Sequence, residues 1–175
     1  MTAETNTLLK AENIEMNFGG LKALNDIDIE ANSDEILGLI GPNGSGKTTF
    51  FNVVTGIYTP TKGRILFKGE NIEGEKPRKL AREGIARTFQ NSRLWMELSV
   101  VENVILGMFI QRSTQFRQLF FKYRKIEEEF AEKLEAAREI LSVFNPDLAS
   151  DCYKKASDLS LVDRRRVEIC RAIVA

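Results

Sequence analysis

The sequence predicts an α/β fold with three parts: a core built on a parallel sheet, an antiparallel β side sheet and an inserted helical subdomain. Three observations support this prediction. A short apolar run, a glycine-rich loop and a helix pattern follow one another between residues 36 and 56. Strand-like segments lie on both sides of that unit with few helices between them. Between residues 99 and 160, helix patterns dominate.

The side sheet is predicted from strands at both ends of this region. Residues 8–16 have the composition of an edge strand, and residues 24–29 alternate apolar and polar side chains, as a half-buried strand does. Residues 17–20 predict a turn between them, and residues 61–69 predict another strand between glycine turns. Because these strands are close in sequence, we expect them to pair antiparallel.

The stretch from Gly41 to Thr48 fits the P-loop pattern GxxxxGK[ST] at every fixed position. The apolar run Ile36–Ile40 before it predicts a buried strand of the parallel sheet. Residues 48–56 predict a short helix that ends at a glycine. The alternative interpretation is a flexible glycine turn beside an exposed lysine, but the flanking strand and helix favour a P-loop NTPase core.

The residue types of this loop suit a triphosphate. The glycines allow backbone N–H groups to point inward, and the following helix contributes the positive end of its dipole. Lys47 is expected to contact the β- and γ-phosphates, and the Thr48 hydroxyl is expected to bind Mg²⁺. The predicted nucleotide-binding residues of the loop are Gly41, Pro42, Asn43, Gly44, Ser45, Gly46, Lys47, Thr48 and Thr49.

The second half of the chain predicts mostly helices. A short helix is expected over Pro77–Glu83, and a strand over Gly84–Gln90 ends in a polar residue. Ser99 and Glu102 have capping-box spacing, so a helix is expected over Val100–Ile110.

The longest helix pattern covers residues 123–144, with apolar side chains at steps of three and four and a stop at Asn145–Pro146. Ser160 is the expected N-cap of a last helix from about Leu161. Residues 164–166 are three arginines and predict a solvated helix face.

Composition excludes several function classes. Lys+Arg and Asp+Glu both number 25, so the net charge is zero, which argues against a general polyanion-binding surface. The chain contains no histidine, so no histidine base or ligand operates in it. Cys152 and Cys170 have no metal or redox spacing and predict reduced thiols in a cytosolic protein. No apolar run reaches the roughly 18 residues expected of a membrane span.

These residues together resemble the ATP-binding subunits of ABC transporters. Phe18 lies upstream of the P-loop, where that family keeps an aromatic that stacks on adenine. Residues 87–90 resemble its glutamine loop, and residues 159–160 with residues 164–172 resemble its signature motif and the helix that follows. The sequences of residues 17–24 and 84–90 most resemble the branched-chain amino acid importer branch of that family.

The resemblance implies ATP and Mg²⁺ as ligands and gives roles to three residues. Phe18, which could also be a packed turn aromatic, would stack on adenine. Gln90, otherwise an ordinary surface amide, would bind the metal with Thr48 or orient the attacking water. Ser160, besides capping its helix, would present that helix N-terminus to the γ-phosphate held by a second subunit.

The chain departs from the family pattern in two places. Residues 161–163 are Leu-Val-Asp where the family has Gly-Gly-Gln, and Val162 replaces a glycine that allows close approach to phosphate. The sequence stops at Ala175, before the family's Walker B strand, catalytic glutamate and switch histidine. The expectation is therefore a C-terminally incomplete copy that binds nucleotide and hydrolyses little of it.

The resemblance also implies a domain division and partners. Residues 1–98 would form the nucleotide-binding core, residues 99–160 the helical subdomain, and residues 161–175 the start of the return to the core. The parent function would be ATP-driven import of a small polar solute, by a dimer bound to transmembrane permease subunits at the cytoplasmic face of the membrane, without nucleic acid. Alternatives are a soluble ABC ATPase of DNA repair or translation, and a catalytically silent paralogue.

The permease is expected to dock in a groove near Gln90, Leu94, Trp95 and Met96. Trp95 is the only tryptophan of the chain, and its neighbours are too apolar for an ordinary exposed loop. The alternative is that Trp95 is buried in the core of the helical subdomain.

Overall fold

A computed structural model describes residues 6–89, 93–109 and 123–175, with the side chains of residues 123–129 excepted. Gln90 lies outside the described residues. The chain divides into two compact units, Met1–Leu80 and Ala81–Ala175, which are taken in turn.

The first unit contains a four-stranded antiparallel sheet in the order β2-β1-β3-β4, which confirms the predicted side sheet. The prediction that the first strand lies at the edge is wrong, because Leu9 of β1 pairs with Ala31 on one side and with Phe67 on the other. The sheet consists of β1 (Thr7–Phe18), β2 (Leu21–Asn32), β3 (Lys62–Phe67) and β4 (Glu70–Asn71).

Helix α1 (Lys47–Val54) lies in this unit and α2 (Pro77–Glu83) begins in it, and both occur where the sequence predicts them. Strands β1, β2 and β3 and helix α1 each bury apolar side chains. The buried apolar residues of the unit are Ala11, Ile14, Met16, Leu24, Phe50, Val53, Val54, Ile65, Phe67, Ile72 and Leu80.

The predicted buried strand before the P-loop is not formed. Residues 35–42 are neither helix nor strand, and the side chains of Ile36 and Ile40 are almost fully exposed. Residues 85–89 are likewise not a strand. A strand needs a hydrogen-bonded neighbour to satisfy its backbone groups, and no described residue pairs with either segment. Apolar composition alone therefore does not make these segments strands.

The second unit is helical, with a core where all its longer helices meet, and it extends beyond the predicted subdomain of residues 99–160 at both ends. Ser99 caps α3 through a complete capping box with Glu102, and Asn145 caps α5. Its elements are α3 (Val100–Met108), α4 (Tyr123–Phe144), α5 (Pro146–Ser150), a 3₁₀ turn (Ala156–Asp158) and α6 (Leu161–Ile173). The core residues are Leu94, Val100, Val101, Val104, Ile105, Ala137, Leu141, Leu148, Cys152, Ala156, Val167 and Cys170.

Both cysteines are free and lie in this core, as the sequence predicts for reduced thiols. Burial raises the pKa of the Cys170 thiol to about 11, so it stays protonated and unreactive at neutral pH. Within the described ranges, the structure has no helix with the length and apolar character that a membrane crossing requires.

Candidate functional site

The P-loop leads directly into α1, and Gly46 is the residue that makes this connection. Gly46 precedes the helix with φ +87°, and a Cβ atom there would lie 2.6 Å from the Ala23 carbonyl oxygen and 2.8 Å from Leu24 Cδ2. The loop backbone thus packs against β2 at a distance that no side chain permits. Gly44 also has positive φ, at +84°, but faces open space.

Lys47 is held inside the loop by neutral oxygens. Its ammonium donates hydrogen bonds to the carbonyl oxygens of Gly41 (2.7 Å) and Pro42 (2.6 Å) and to Ser45 Oγ (3.3 Å). All three of its protons are thus directed at the loop rather than at an acidic side chain. A phosphate oxygen would offer the same ammonium a charged acceptor, and hydrogen bonds between charged partners are about twice as strong.

The N-terminus of α1 is free to bind an anion. Its N-cap is Gly46, which has no side chain to accept a hydrogen bond, and its first turn contains no acidic residue. The N–H groups of the first turn therefore have no acceptor within the helix, and the dipole favours a negative ligand there. Thr48 lies exposed in this turn, with Thr49 beside it. These features fit the phosphates of a nucleotide.

The predicted Mg²⁺ site has fewer candidate residues than the predicted phosphate site. The Thr48 hydroxyl suits Mg²⁺, which prefers oxygen ligands and usually keeps several waters and substrate phosphates. In the described parts of the chain, no group of three or more histidine, cysteine, aspartate or glutamate side chains has the arrangement of a metal site. Any Mg²⁺ here would depend on the nucleotide for most of its ligands.

Phe18, the predicted adenine-stacking residue, ends β1 and is 42% exposed. Met16 pairs with Leu24, whose side chain borders Gly46, so Phe18 lies two residues, or about 7 Å, further along the same strand. Its ring makes an edge-to-face contact with Tyr58, with centroids 5.2 Å apart and planes at 76°. Sequence analysis did not identify Tyr58, because nothing in a single sequence pairs two aromatics 40 residues apart.

Ser160 caps α6 as predicted and is occupied by its own helix. Its Oγ accepts from the Asp163 backbone N–H (3.1 Å) and donates to Asp163 Oδ2 (2.7 Å). That bond, together with one from Arg166, holds the pKa of the Asp163 carboxyl below its usual range. Leu161 and Val162 are exposed beside it. The α6 N-terminus is thus already neutralised by an acidic side chain, unlike that of α1.

The arginine run of α6 is not simply a solvated face. Glu168 is 2% exposed, and its carboxylate accepts from Arg165 Nη1 (2.8 Å) and from the Arg93 backbone N–H (2.5 Å). Arg165 also donates to the Phe89 carbonyl, and Arg171 donates to the Arg93 carbonyl (2.9 Å). The helix therefore holds the backbone at residues 89 and 93.

Trp95 is 65% exposed, which rules out the alternative that it is buried in the core, whereas Leu94 beside it is buried. Its backbone is fixed by Asn103 of α3, which is fully buried. Asn103 Oδ1 accepts from the Trp95 N–H (2.9 Å), and Asn103 Nδ2 donates to the carbonyls of Trp95 and Ser99 (both 3.0 Å). An exposed indole on a fixed backbone is typical of interface anchor residues.

Comparison with known proteins identifies the family. The family described as ABC transporter matches residues 24–175. The chain is 39% identical to the high-affinity branched-chain amino acid transport ATP-binding protein LivG of Escherichia coli K12 and 37% identical to BraF of Pseudomonas aeruginosa, over 95% of its length in each case. It spans 65% of the length of these two curated relatives.

Solved structures agree. The structure of MJ1267, described as an ATP-binding cassette of an ABC transporter, superposes with a TM-score of 0.77 at 35% identity, covering 96% of this chain and 65% of that one. A structure of the ADP conformation of MJ1267 gives a TM-score of 0.76 at 34% identity. These matches confirm the predicted fold class, and the chain belongs to the ABC transporter family of ATP-binding cassettes.

Proposed function

We propose that this chain binds Mg-ATP at the P-loop as the ATP-binding subunit of an ABC importer that hydrolyses ATP to take up a small polar solute, the branched-chain amino acids. The observation that carries the proposal is Lys47, whose ammonium is held by neutral loop oxygens beside the acid-free N-terminus of α1. The similarity to LivG and BraF, which are branched-chain amino acid transport ATP-binding proteins, supports the choice of solute.

In the proposed complex, the triphosphate lies across the loop and the first turn of α1. Lys47 exchanges its carbonyl acceptors for β- and γ-phosphate oxygens, and the free N–H groups of the turn donate to the same phosphates. Phe18 provides a ring surface for adenine. Mg²⁺, bound by Thr48, Gln90 and the phosphates, would neutralise charge on the phosphoryl groups.

Hydrolysis and assembly are part of the same proposal. The working state is a dimer of cassettes, in which Ser160 of one subunit faces the γ-phosphate held by the other. The proposed domain division assigns residues 1–98 to the nucleotide-binding core, residues 99–160 to the helical subdomain and residues 161–175 to the return to the core, whereas the two compact units of the structure divide after Leu80 and α6 contributes to the core of the helical unit. Asp163 supports one alternative, a catalytically silent paralogue, because its carboxylate is bonded to Ser160 at the helix N-terminus that this proposal assigns to the other subunit's phosphate.

We propose that Trp95 anchors the transmembrane permease subunits, which would hold the cassette at the cytoplasmic face of the membrane. Trp95 is exposed, while its backbone N–H and carbonyl are both hydrogen-bonded, so the segment loses little backbone conformational entropy when a partner binds. The zero net charge gives no support to a nucleic-acid partner.

The test is a titration of a fluorescent ATP analogue against the wild-type chain and Lys47→Ala. Removing the ammonium should weaken binding about 10- to 150-fold, the equivalent of one charge-assisted hydrogen bond of about 1.5–3 kcal/mol. Lys62→Ala is the matched control, because Lys62 is a lysine of the same unit in an exposed ion pair with Glu15. Equal affinities of wild type and Lys47→Ala would contradict the site.

A further inference from the structure

We propose that Tyr58 is a positioning residue for the nucleotide base: it fixes the ring of Phe18 so that a purine can stack on it. The inference rests on the proposed nucleotide site. It adds that Tyr58 determines how much the base, as distinct from the triphosphate, contributes to the affinity for the nucleotide. The ligand is the purine of a nucleoside triphosphate.

The contact between the two rings has the geometry of an attractive aromatic pair. The ring centroids are 5.2 Å apart and the planes meet at 76°, which places the positive edge of one ring against the negative face of the other. Phe18 lies at the end of a strand and next to a two-glycine turn. The contact with Tyr58 favours one orientation of the Phe18 ring before a ligand arrives.

Tyr58 is itself held by backbone hydrogen bonds. The N–H groups of Ile57 and Tyr58 both donate to the Asn52 carbonyl of α1, at 2.8 and 3.1 Å. Three residues later, the Thr61 N–H donates to the Glu15 carbonyl of β1 at 2.8 Å. The segment between α1 and β3 is thus tied at one end to the P-loop helix and at the other to the strand that carries Phe18.

Both rings keep enough free surface to bind a base. Phe18 is 42% exposed and Tyr58 is 36% exposed, although each is in contact with the other. Gly46, the P-loop residue that caps α1, borders the same end of the β1–β2 ladder. A nucleotide with its phosphates on the loop therefore has a preformed aromatic pair within reach of its base.

The experiment separates the base from the phosphates. Calorimetric titrations with Mg-ATP and with inorganic tripolyphosphate are compared for wild type, Tyr58→Ala, Tyr58→Phe and Phe18→Ala. Tyr58→Ala should weaken ATP binding about 2- to 12-fold, as expected for loss of an aromatic pair, and leave tripolyphosphate binding unchanged. Tyr58→Phe keeps the ring and should restore ATP affinity. Phe18→Ala, which removes the stacking surface itself, should have the larger effect on ATP.

The outcomes distinguish this inference from the proposed function. Tripolyphosphate binding that is insensitive to Lys47→Ala would contradict the proposed phosphate site. Binding that depends on Lys47, with no effect of Tyr58→Ala on ATP, would overturn only the role of Tyr58. Equal loss for both ligands would assign Tyr58 a purely structural role and also overturn it. If Tyr58→Ala does not fold, Tyr58→Leu, which keeps bulk without a ring, provides the same comparison.

Discussion

Replacing Gly46 by alanine tests how tightly the P-loop is packed against the sheet. The change adds one methyl group at a residue whose φ is +87° and whose position faces the backbone of β2. Two costs arise, one from the backbone conformation and one from the contact. Neither involves a nucleotide, so the prediction concerns the folded protein alone.

The magnitude follows from these two costs. An L-residue in the left-handed region costs about 1–2 kcal/mol relative to glycine. The new Cβ would also lie 2.6 Å from the Ala23 carbonyl oxygen, a backbone atom of β2 whose two neighbouring residues, Lys22 and Leu24, are paired with β1. Moving that backbone resembles overpacking of a core and costs about 1–3 kcal/mol. We therefore expect Gly46→Ala to lose about 2–5 kcal/mol of stability.

The control is Gly44→Ala, because Gly44 has nearly the same φ, +84°, and no atom within 4 Å of its Cβ position. It should lose only the conformational cost of about 1–2 kcal/mol. Amide hydrogen exchange of β2 measures both variants, since protection there reports the free energy of local opening. Equal loss of protection in the two variants would refute the argument from the Ala23 contact.

Three further predictions concern the helical unit. Asn103→Leu leaves the Trp95 backbone N–H without its acceptor, so the fluorescence anisotropy decay of this single tryptophan should gain a fast component. An unchanged decay would contradict the argument that Asn103 fixes the backbone at Trp95. Glu168→Gln removes the buried charge that pairs with Arg165 and should lower the free energy of unfolding by about 1–3 kcal/mol in urea; an unchanged midpoint would count against it. The Ser160 hydroxyl lowers the pKa of the Asp163 carboxyl in the folded state. The ionised carboxylate therefore stabilises the folded protein fully above its unfolded-state pKa of about 3.9. This stabilisation is lost as the pH falls through the lower pKa of the folded state. Thermal unfolding of Asp163→Asn should therefore depend less on pH below about 4 than that of wild type.

Local signals predicted most of the described helices and the antiparallel sheet. The capping box of Ser99 and Glu102 and the N-cap at Ser160 involve residues three apart, so the sequence contains both partners. The spacing of apolar residues over 123–144 likewise predicts a helix with a buried face, on which Ala137 and Leu141 are fully buried. The glycine-rich loop before α1 was also predictable, because its glycines and lysine lie within eight residues.

Features that depend on distant residues were not predictable. Ile36–Ile40 has the composition of a buried strand, but strand formation depends on neighbours that the run itself does not specify. The central place of β1 in the sheet, the contact of Phe18 with Tyr58 and the burial of Glu168 all arise from pairings over long sequence separations. Composition describes Glu168 as part of a charged run, whereas in the structure its carboxylate accepts from the backbone N–H of Arg93, 75 residues away.

The N-termini of α1 and α6, which the sequence analysis both predicts to face phosphate, differ in whether an acidic side chain already neutralises the positive end of the helix dipole. Both have the same partial positive charge from the helix dipole. At α1 the N-cap is a glycine, the first turn has no acid, and the Lys47 ammonium is held by neutral oxygens. At α6 the Ser160 hydroxyl and the Asp163 carboxylate already satisfy the first turn, and an incoming phosphate would meet a negative charge. A phosphate therefore gains more at α1 than at α6, and Asp163→Gln is the substitution that would bring the α6 terminus closer to the electrostatic state of α1.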